Sequence, residues 1–240
     1  MYKIILSSLL LPFAVATSWA GSFAVNPVRL HLSTVQPTAV LHVTNEGKTP
    51  TVVQLSLFIW SQAGGKNVYT PTRALLATPP IFTLRPGAEQ IVRVGLRVKP
   101  EAHRELTYRL FMTQVPPKPL PGFRGLQVVL RMSLPIFVAS QSGTAVPKLL
   151  WRIQRFGNDQ AKLEVTNNGA AHAQVSDLEV AASATGPALA KPAIGNGYVL
   201  PGASRIWKFK LKNSVKPGQY LVLRGKTQRG AFNERLNQSQ

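Results

Sequence analysis

The feature that most constrains this fold is the two-residue period of its apolar side chains. Along TVVQLSLFIW, residues 51–60, alternate positions place four apolar side chains on one face of an extended chain: Val53, Leu55, Leu57 and Ile59. IVRVGLRV and AVLHVTNEG alternate in the same way, and the second ends in a turn at Asn45-Glu46-Gly47. This is the period of a half-buried β-strand, and no segment has the clear 3.6-residue period of an amphipathic helix. We therefore predict an all-β protein.

Proline and glycine separate the predicted strands. Most of the 19 prolines and 18 glycines lie between the alternating runs. Short strands with such turns are typical of antiparallel β-sandwiches, and an immunoglobulin-like sandwich takes about 100 residues. The chain after residue 20 is therefore long enough for two immunoglobulin-like β-sandwich domains. We predict an N-terminal domain at 21–139, a polar linker at 140–146 and a C-terminal domain at 147–240.

Residues 1–20 have the features of a secretory signal peptide. Lys3 gives a basic start, an apolar run follows, and Ser18-Trp19-Ala20 fits a small-x-small cleavage site. A membrane anchor would need about 20 consecutive apolar residues, and two serines and a proline interrupt this run. We expect export to a bacterial periplasm, with cleavage and without stable membrane insertion.

The chain is strongly basic and has no cysteine. It contains 28 Lys and Arg against 9 Asp and Glu, a formal charge of +19, and would lose only Lys3 with the signal peptide. The cations are scattered through predicted strands, which disfavours nucleic acid as a partner. Anionic lipid headgroups, cell-wall polymers and an acidic protein remain open, and solubility alone is the simplest explanation. Without disulfides, each core must be stabilised by packing.

The sequence offers no constellation for catalysis. It lacks a phosphate-binding glycine loop, a G-x-S-x-G elbow and an H-E-x-x-H motif. His31 and His42 could lie on neighbouring strands, but without a carboxylate or cysteine beside them they make a poor metal site. His103 and His172 fall in polar, turn-like segments. We expect a protein that is not an enzyme and that uses no cofactor and no metal.

One stretch is unusually apolar for a strand of a soluble protein. In GLQVVLRMSLPIFV, residues 125–138, one face carries four successive large apolar side chains: Leu126, Val128, Leu130 and Met132. In a core strand this pattern would be ordinary. In an edge strand it would be a template for pairing with another chain. The pattern alone does not distinguish the two.

The order of several motifs resembles that of the periplasmic pilus chaperones of the chaperone-usher pathway, the PapD-like proteins. The similar pieces, in chain order, are NPVRLHLS, LHVTNEGKTPTVVQLSLFIW, LLATPPIFTLRPGAEQIVRVGL, ELTYRLFMTQVPPKP and LQVVLRMSLPIF. Each piece alone is weakly specific. As an ordered set they are fairly specific, and the resemblance covers nearly all of the mature chain.

The resemblance implies a fold and a function. It implies two immunoglobulin-like domains in a boomerang arrangement, and a strand lent to a pilus or fimbrial subunit whose own sandwich lacks one strand. Positions 126, 128, 130 and 132 would then fill the groove of the subunit. The chaperone would deliver the subunit to an outer-membrane usher.

The resemblance also implies a basic cleft that holds the C-terminal carboxylate of the subunit. Arg29 matches the N-terminal arginine of the family. Where most members have a lysine near the end of the lent strand, this chain has Pro135. The ending SLPIF resembles the archaic branch, which serves spore-coat-U-like and Csu-type fimbriae. In that branch the arginine of Tyr108-Arg109-Leu110 is the candidate anchor, with Arg29 as its helper.

Two other function classes remain open. One is an exported two-domain adhesion or structural fimbrial protein, and the other is an enzyme that acts on the cell wall. Stoichiometry separates the first from a chaperone, because a chaperone forms a one-to-one complex with its subunit whereas a structural subunit polymerises. A structural subunit is also expected to have one incomplete sandwich, and both halves of this sequence look complete.

Overall fold

The computed structural model describes residues 23–117, 127–156, 159–211 and 220–236, together with the backbone of Gln238–Ser239. The predicted signal peptide and Leu126 lie outside these residues. The described residues form strands and turns, and none of them belongs to a helix. That part of the chain accordingly provides no helix able to cross a membrane. The all-β prediction is confirmed.

The first half of the chain forms a sandwich of two sheets. One sheet has the strand order β1-β3-β8-β6, and the other has the order β2-β10-β9-β4-β5 with β7 also paired to β4. These strands are β1 Phe23–Asn26, β2 Leu30–Leu32, β3 Thr38–Asn45, β4 Thr51–Ala63, β5 Lys66–Pro71, β6 Leu75–Thr78, β7 Ile81–Leu84, β8 Glu89–Leu96, β9 Leu106–Val115 and β10 Arg131–Val138.

The second half forms another sandwich. It consists of the third and fourth sheets of the protein. The third sheet has the order β16-β12-β11-β19, and the fourth has the order β14-β13-β17-β18 with β15 paired to β13. The strands are β11 Leu149–Phe156, β12 Gln160–Asn167, β13 Ala173–Ala181, β14 Ala188–Ala190, β15 Tyr198–Val199, β16 Ser204–Lys210, β17 Leu221–Thr227, β18 Gly230–Leu236 and β19 Gln238–Ser239. The exact limits predicted for the two domains and their linker stay a prediction.

Each sandwich encloses its own apolar core. The first core draws on residues between Phe23 and Val138, and the second on residues between Trp151 and Leu236. Alternation predicts the inward side chains well: Val53 and Leu55 of β4 are buried, as are Val92 and Val94 of β8. A buried strand side chain is removed from water at a gain of about 25 cal/mol per Å², which stabilises each sandwich without disulfides.

Two details depart from the sequence analysis. Ile59 was expected to face inwards with Val53, but it is 43% exposed because it lies beyond the end of the first core, while Trp60 on the opposite face is buried. His31 and His42 do not lie on neighbouring strands, since β2 and β3 belong to different sheets. His42 instead contacts Glu89, with 2.8 Å between its Nδ1 and the Oε1 of the carboxylate.

Strand β10 is a core strand at one end and an edge strand at the other, the two possibilities that its sequence left open. Ile136, Phe137 and Val138 pair on one side with β2 and on the other with β9, so this end is an interior strand. Residues 131–135 pair with β9 alone, so among the described residues their other edge has no strand neighbour. Pro135, which has no N–H to give to a ladder, falls just before the part covered by β2.

The two sandwiches repeat one turn device at VTNEG and VTNNG. In the second copy, the buried amide of Asn167 donates from Nδ2 to the carbonyl oxygens of Ala171 and Val199, at 2.8 and 3.0 Å. Its Oδ1 accepts from the backbone N–H groups of Lys148 and Gly169, both at 3.0 Å. Asn45 bonds Thr49, Leu84 and Gly47 in the same manner.

We expect Asn167→Ala to lower the free energy of unfolding by about 1–3 kcal/mol, because four backbone groups beside the second core lose their partner. Asn168→Ala is the matched control: Asn168 is exposed, and within the described residues only its backbone makes a hydrogen bond. Urea unfolding of both variants measures the difference. Equal stability of the two variants would contradict the role assigned to this amide.

Candidate functional site

Arg109 lies in the middle of β9, on the face of the second sheet that points away from the first core. It is paired with Phe58 of β4 and Pro135 of β10. Its guanidinium carbon lies 3.7 Å from the centre of the Trp60 ring and 5.5 Å from that of Tyr198, which belongs to the second sandwich. Its Nη1 donates to the carbonyl oxygen of Ser133 at 3.3 Å. The side chain is thus held by aromatic rings from both halves of the chain.

The cation of Arg109 is buried, and among the described residues it has no acidic partner. The residue is only 4% exposed, and burial lowers the pKa of the guanidinium, while the hydroxyls of Tyr69 and Tyr198 oppose that shift. The ion pairs of the described residues include neither Arg109 nor Arg29. The Nε and Nη2 of Arg109 are buried and have no hydrogen-bond partner. These two nitrogens lie on one edge of the guanidinium, where a carboxylate can accept two parallel hydrogen bonds.

Arg29 approaches the same tyrosine from the start of β2. Its guanidinium carbon lies 5.6 Å from the centre of the Tyr198 ring, and its Nη2 donates to Oε1 of Gln174 at 2.5 Å. Its Nε is buried and has no partner. The structure therefore brings the two predicted anchor arginines to one ring, with Arg29 only partly buried and Arg109 almost fully buried.

A cluster of aromatic side chains extends from Arg109 along the outer face of the second sheet. The rings of Phe58 and Tyr69 meet that of Phe111 edge to face, at centre distances of 5.3 and 5.1 Å. The guanidinium carbon of Arg131, at the start of β10, lies 4.2 Å from the centre of the Phe111 ring. Aromatic rings and a cation therefore border the free edge of β10 on the Arg109 side.

The predicted apolar face of the lent strand is only partly exposed in the free chain. Val128 is 61% exposed, whereas Leu130 and Met132 are partly buried against the first core. Residues 127–130 form no strand, although the N–H of Gln114 donates to the carbonyl oxygen of Leu130 at 2.9 Å. The observed strand thus begins at Arg131, later than the alternation predicts.

The end of β10 is held against the second sandwich by contacts that could not be predicted from the sequence. The ring of Phe137 stacks on that of His172 with 3.5 Å between centres. Nδ1 of the imidazole lies 2.7 Å from Oε1 of Glu105, which also accepts the backbone N–H of His172 at 3.0 Å. Trp60, Phe137 and Tyr198 belong to one buried cluster between the sandwiches.

The residues that the sequence analysis missed gave no local signal. Trp60 reads as the last residue of an alternating strand, and His172 as part of a polar turn. Gln62 joins the sandwiches by donating to the carbonyl oxygen of Tyr198 and accepting the N–H of Leu200, both at 3.0 Å, across about 140 positions of the chain. Such a pairing is visible only in three dimensions.

Comparison with family models decides the family. Residues 22–142, just over half of the 240, match the PapD N-terminal domain of the pili and flagellar-assembly chaperones. The chain belongs to this PapD-like chaperone family. The family is one of assembly chaperones and not of enzymes. A search of curated proteins returned no match for this chaperone.

Several solved structures share the fold of this PapD-like chaperone. One is in the CsuC–CsuE chaperone–tip adhesion subunit pre-assembly complex from the archaic Csu pili of Acinetobacter baumannii, at 22% identity and a TM-score of 0.66, covering 91% of this chain and 100% of that one. The Salmonella enterica SafA pilin complex with the SafB chaperone matches at 19% and 0.63, covering 91% and 98%. The Escherichia coli chaperone DraB matches at 18% and 0.58, covering 90% and 95%.

Proposed function

We propose that this chaperone binds pilus subunits in the periplasm by lending them β10 and the residues just before it. The observation that carries the proposal is the position of Arg109 beside the free edge of β10. A strand edge without a neighbour accepts another strand through backbone hydrogen bonds. A buried, unpaired cation beside that edge supplies a fixed point for a negatively charged chain end.

The apolar side chains would provide most of the binding energy. An immunoglobulin-like sandwich that lacks a strand exposes a groove of the size of a core, and Leu126, Val128, Leu130 and Met132 would fill it. Apolar burial contributes about 25 cal/mol per Å², before the cost of ordering the two partners. Val128 is exposed, and Leu130 and Met132 are only partly buried against the first core, so all three have apolar surface that a subunit could cover. No ATP is needed.

The C-terminal carboxylate of the subunit would set the register of the paired strands. It would accept hydrogen bonds from Nε and Nη2 of Arg109, with Arg29 as the second cation. Because both nitrogens are covered in the free chain, the aromatic side chains around Arg109 must shift before a carboxylate reaches them. A charge-assisted hydrogen bond contributes roughly 1.5–3 kcal/mol, and pairing the buried cation also relieves its desolvation.

The family and the lent strand together suggest the pathway. We infer delivery of the subunit to an outer-membrane usher and membership of the archaic branch, because SLPIF and Tyr108-Arg109-Leu110 replace the usual lysine-bearing ending. The CsuC complex, a chaperone with a tip subunit of archaic pili, agrees in fold with this inference. The domain limits of 21–139 and 147–240 complete the proposal.

Co-expression with a fimbrial subunit encoded nearby, followed by purification from the periplasm, tests the function. We expect a soluble complex of one chaperone and one subunit, and protection of that subunit from periplasmic proteolysis. A structural fimbrial protein would instead assemble with copies of itself. Recovery of polymers that contain this chain, or failure to protect any subunit, would contradict the chaperone function.

A further inference from the structure

The outer face of the third sheet carries a group of cations with apolar side chains between them. Its strands β11, β12 and β16 alternate, so that Trp151, Leu163 and Trp207 point into the second core while their neighbours point outwards. Six outward residues, called here the basic face, are Arg152, Phe156, Lys162, Ile206, Lys208 and Lys210.

The strand register brings these residues into adjacent rows. Lys162 of β12 lies directly opposite Lys208 of β16, and Lys210 lies opposite Gln160 in the next row. Neighbouring strands are about 4.8 Å apart, so the four cations share one small area. Glu164, opposite Arg152 on one side and Ile206 on the other, is the acidic member of these rows.

Two apolar side chains of the basic face are exposed to solvent. Phe156 is 41% exposed and Ile206 is 47% exposed. Phe156 lies beside a cation, with 6.0 Å between its ring centre and Nζ of Lys208. The basic face therefore combines positive charge with apolar surface in the same rows.

Within the described residues, the cations of the basic face form no ion pairs with carboxylates, whereas cations on the fourth sheet do. There, Lys191 and Arg224 pair with Glu179 at 2.6 and 2.8 Å, and Lys226 pairs with Asp177 at 3.1 Å. Within the described part of the chain, Arg152, Lys162, Lys208 and Lys210 take part in no ion pair. Their charge is available to an external anion.

We propose that the basic face docks the chaperone on the surface of an anionic phospholipid bilayer. Each Lys or Arg close to such a surface adds to the attraction, and the effect falls off within a Debye length. Phe156 and Ile206 would enter the boundary between headgroups and acyl chains, while the neighbouring lysines extend to the headgroups. This is peripheral binding by a sheet face and involves no insertion of the chain.

The residue types favour a lipid surface over an acidic protein. Three of the four cations are lysines, whose ammonium is a flexible, strongly hydrated point charge, whereas a fixed carboxylate is matched better by the planar fork of arginine. Fluid headgroups provide many positions for a flexible cation. The docking is independent of the proposed subunit site, because that site lies on β9 and β10 of the first sandwich.

Co-sedimentation of the full mature chain with vesicles tests this proposal. We expect binding to vesicles of phosphatidylethanolamine with phosphatidylglycerol, little binding to vesicles of phosphatidylcholine alone, and a decrease with added salt. Lys208→Glu with Lys210→Glu should lower the partition onto anionic vesicles by about tenfold or more. Ile206→Ser should lower it without changing the net charge.

The control is Lys66→Glu with Lys99→Glu, which changes the net charge equally at two exposed positions of the first sandwich. Circular dichroism verifies that each variant is folded. The proposal is overturned if both double variants lose binding equally, since net charge alone then acts. It is also overturned if the wild-type chain does not prefer anionic vesicles. That result would leave an acidic protein as the partner of the basic face.

Discussion

Arg109→Ala is expected to weaken the proposed complex with a pilus subunit by about 2–5 kcal/mol, because it removes one partner of a buried charge pair and leaves the subunit's carboxylate with Arg29 as its remaining cation. That loss corresponds to a Kd higher by about 30-fold to several thousand-fold. The melting temperature of the free chaperone should change little, because the lost contacts with Trp60 and Ser133 are offset by removal of a buried cation that has no acidic partner among the described residues. Titration of the subunit's C-terminal peptide or recovery of tagged subunit measures the binding.

Two further variants make this test specific. Arg109→Lys keeps a cation but loses the edge formed by Nε and Nη2, so it should restore only part of the affinity. Arg29→Ala should have the smaller effect, because Arg29 is more exposed and already donates to Gln174. If Arg29→Ala abolishes recovery while Arg109→Ala has no effect, the anchor is Arg29, just before β2. If neither matters, no carboxylate site sets the register.

Val128→Asp is expected to abolish subunit recovery while the free chaperone remains folded. Val128 is 61% exposed, so a carboxylate at this position costs the free chain little. In the subunit groove the same carboxylate would be buried without a partner, at a cost of about 3–5 kcal/mol. Leu130→Asp should also prevent binding, but it would destabilise the chaperone itself because Leu130 packs against the first core.

The adjacent residue provides the control for this prediction. Val129 is also exposed, at 46%, and in an extended strand paired with a subunit its side chain would point to the face opposite that of Val128. Val129→Asp should therefore leave recovery nearly unchanged. Protection of a periplasmic subunit from proteolysis gives the readout for both variants. Equal protection by the Val128→Asp and wild-type proteins would show that these residues are not lent to the subunit.

The strands could be predicted because their pattern is local. Alternation distinguishes the two faces of β4, β8 and β12 over a few residues, and the Asn-containing turns end the strands where the sequence indicates. The start of β10 was placed too early, because alternation continues back to residue 126 and does not depend on a strand neighbour being present. Pairing energy, which the pattern does not include, decides where the strand begins.

The surroundings of the arginines could not be predicted from the sequence. Arg109 lies on the face of β9 away from the first core, and nothing in the sequence indicates that the second sandwich covers that face. Burial of Arg109 depends on Trp60 and on Tyr198, which is distant in sequence. The contact of His172 with Glu105 and Phe137 could not be predicted either, because these residues are also far apart in the sequence. The roles given to the two arginines and to the apolar side chains of positions 126–132 remain predictions.

The unequal support of β10 has a mechanical consequence. One end of the strand is clamped between β2 and β9, with Phe137 stacked on His172, and the other end has a single strand neighbour. A subunit chain laid along the open edge can be peeled away from the loose end one hydrogen-bonded pair at a time, and each step breaks a bond with a net value of about 1 kcal/mol. Sliding the same chain lengthwise would break every pair at once. In the proposed complex, β10 would stay in place while the subunit chain unzips from it, and unzipping would need less force than sliding.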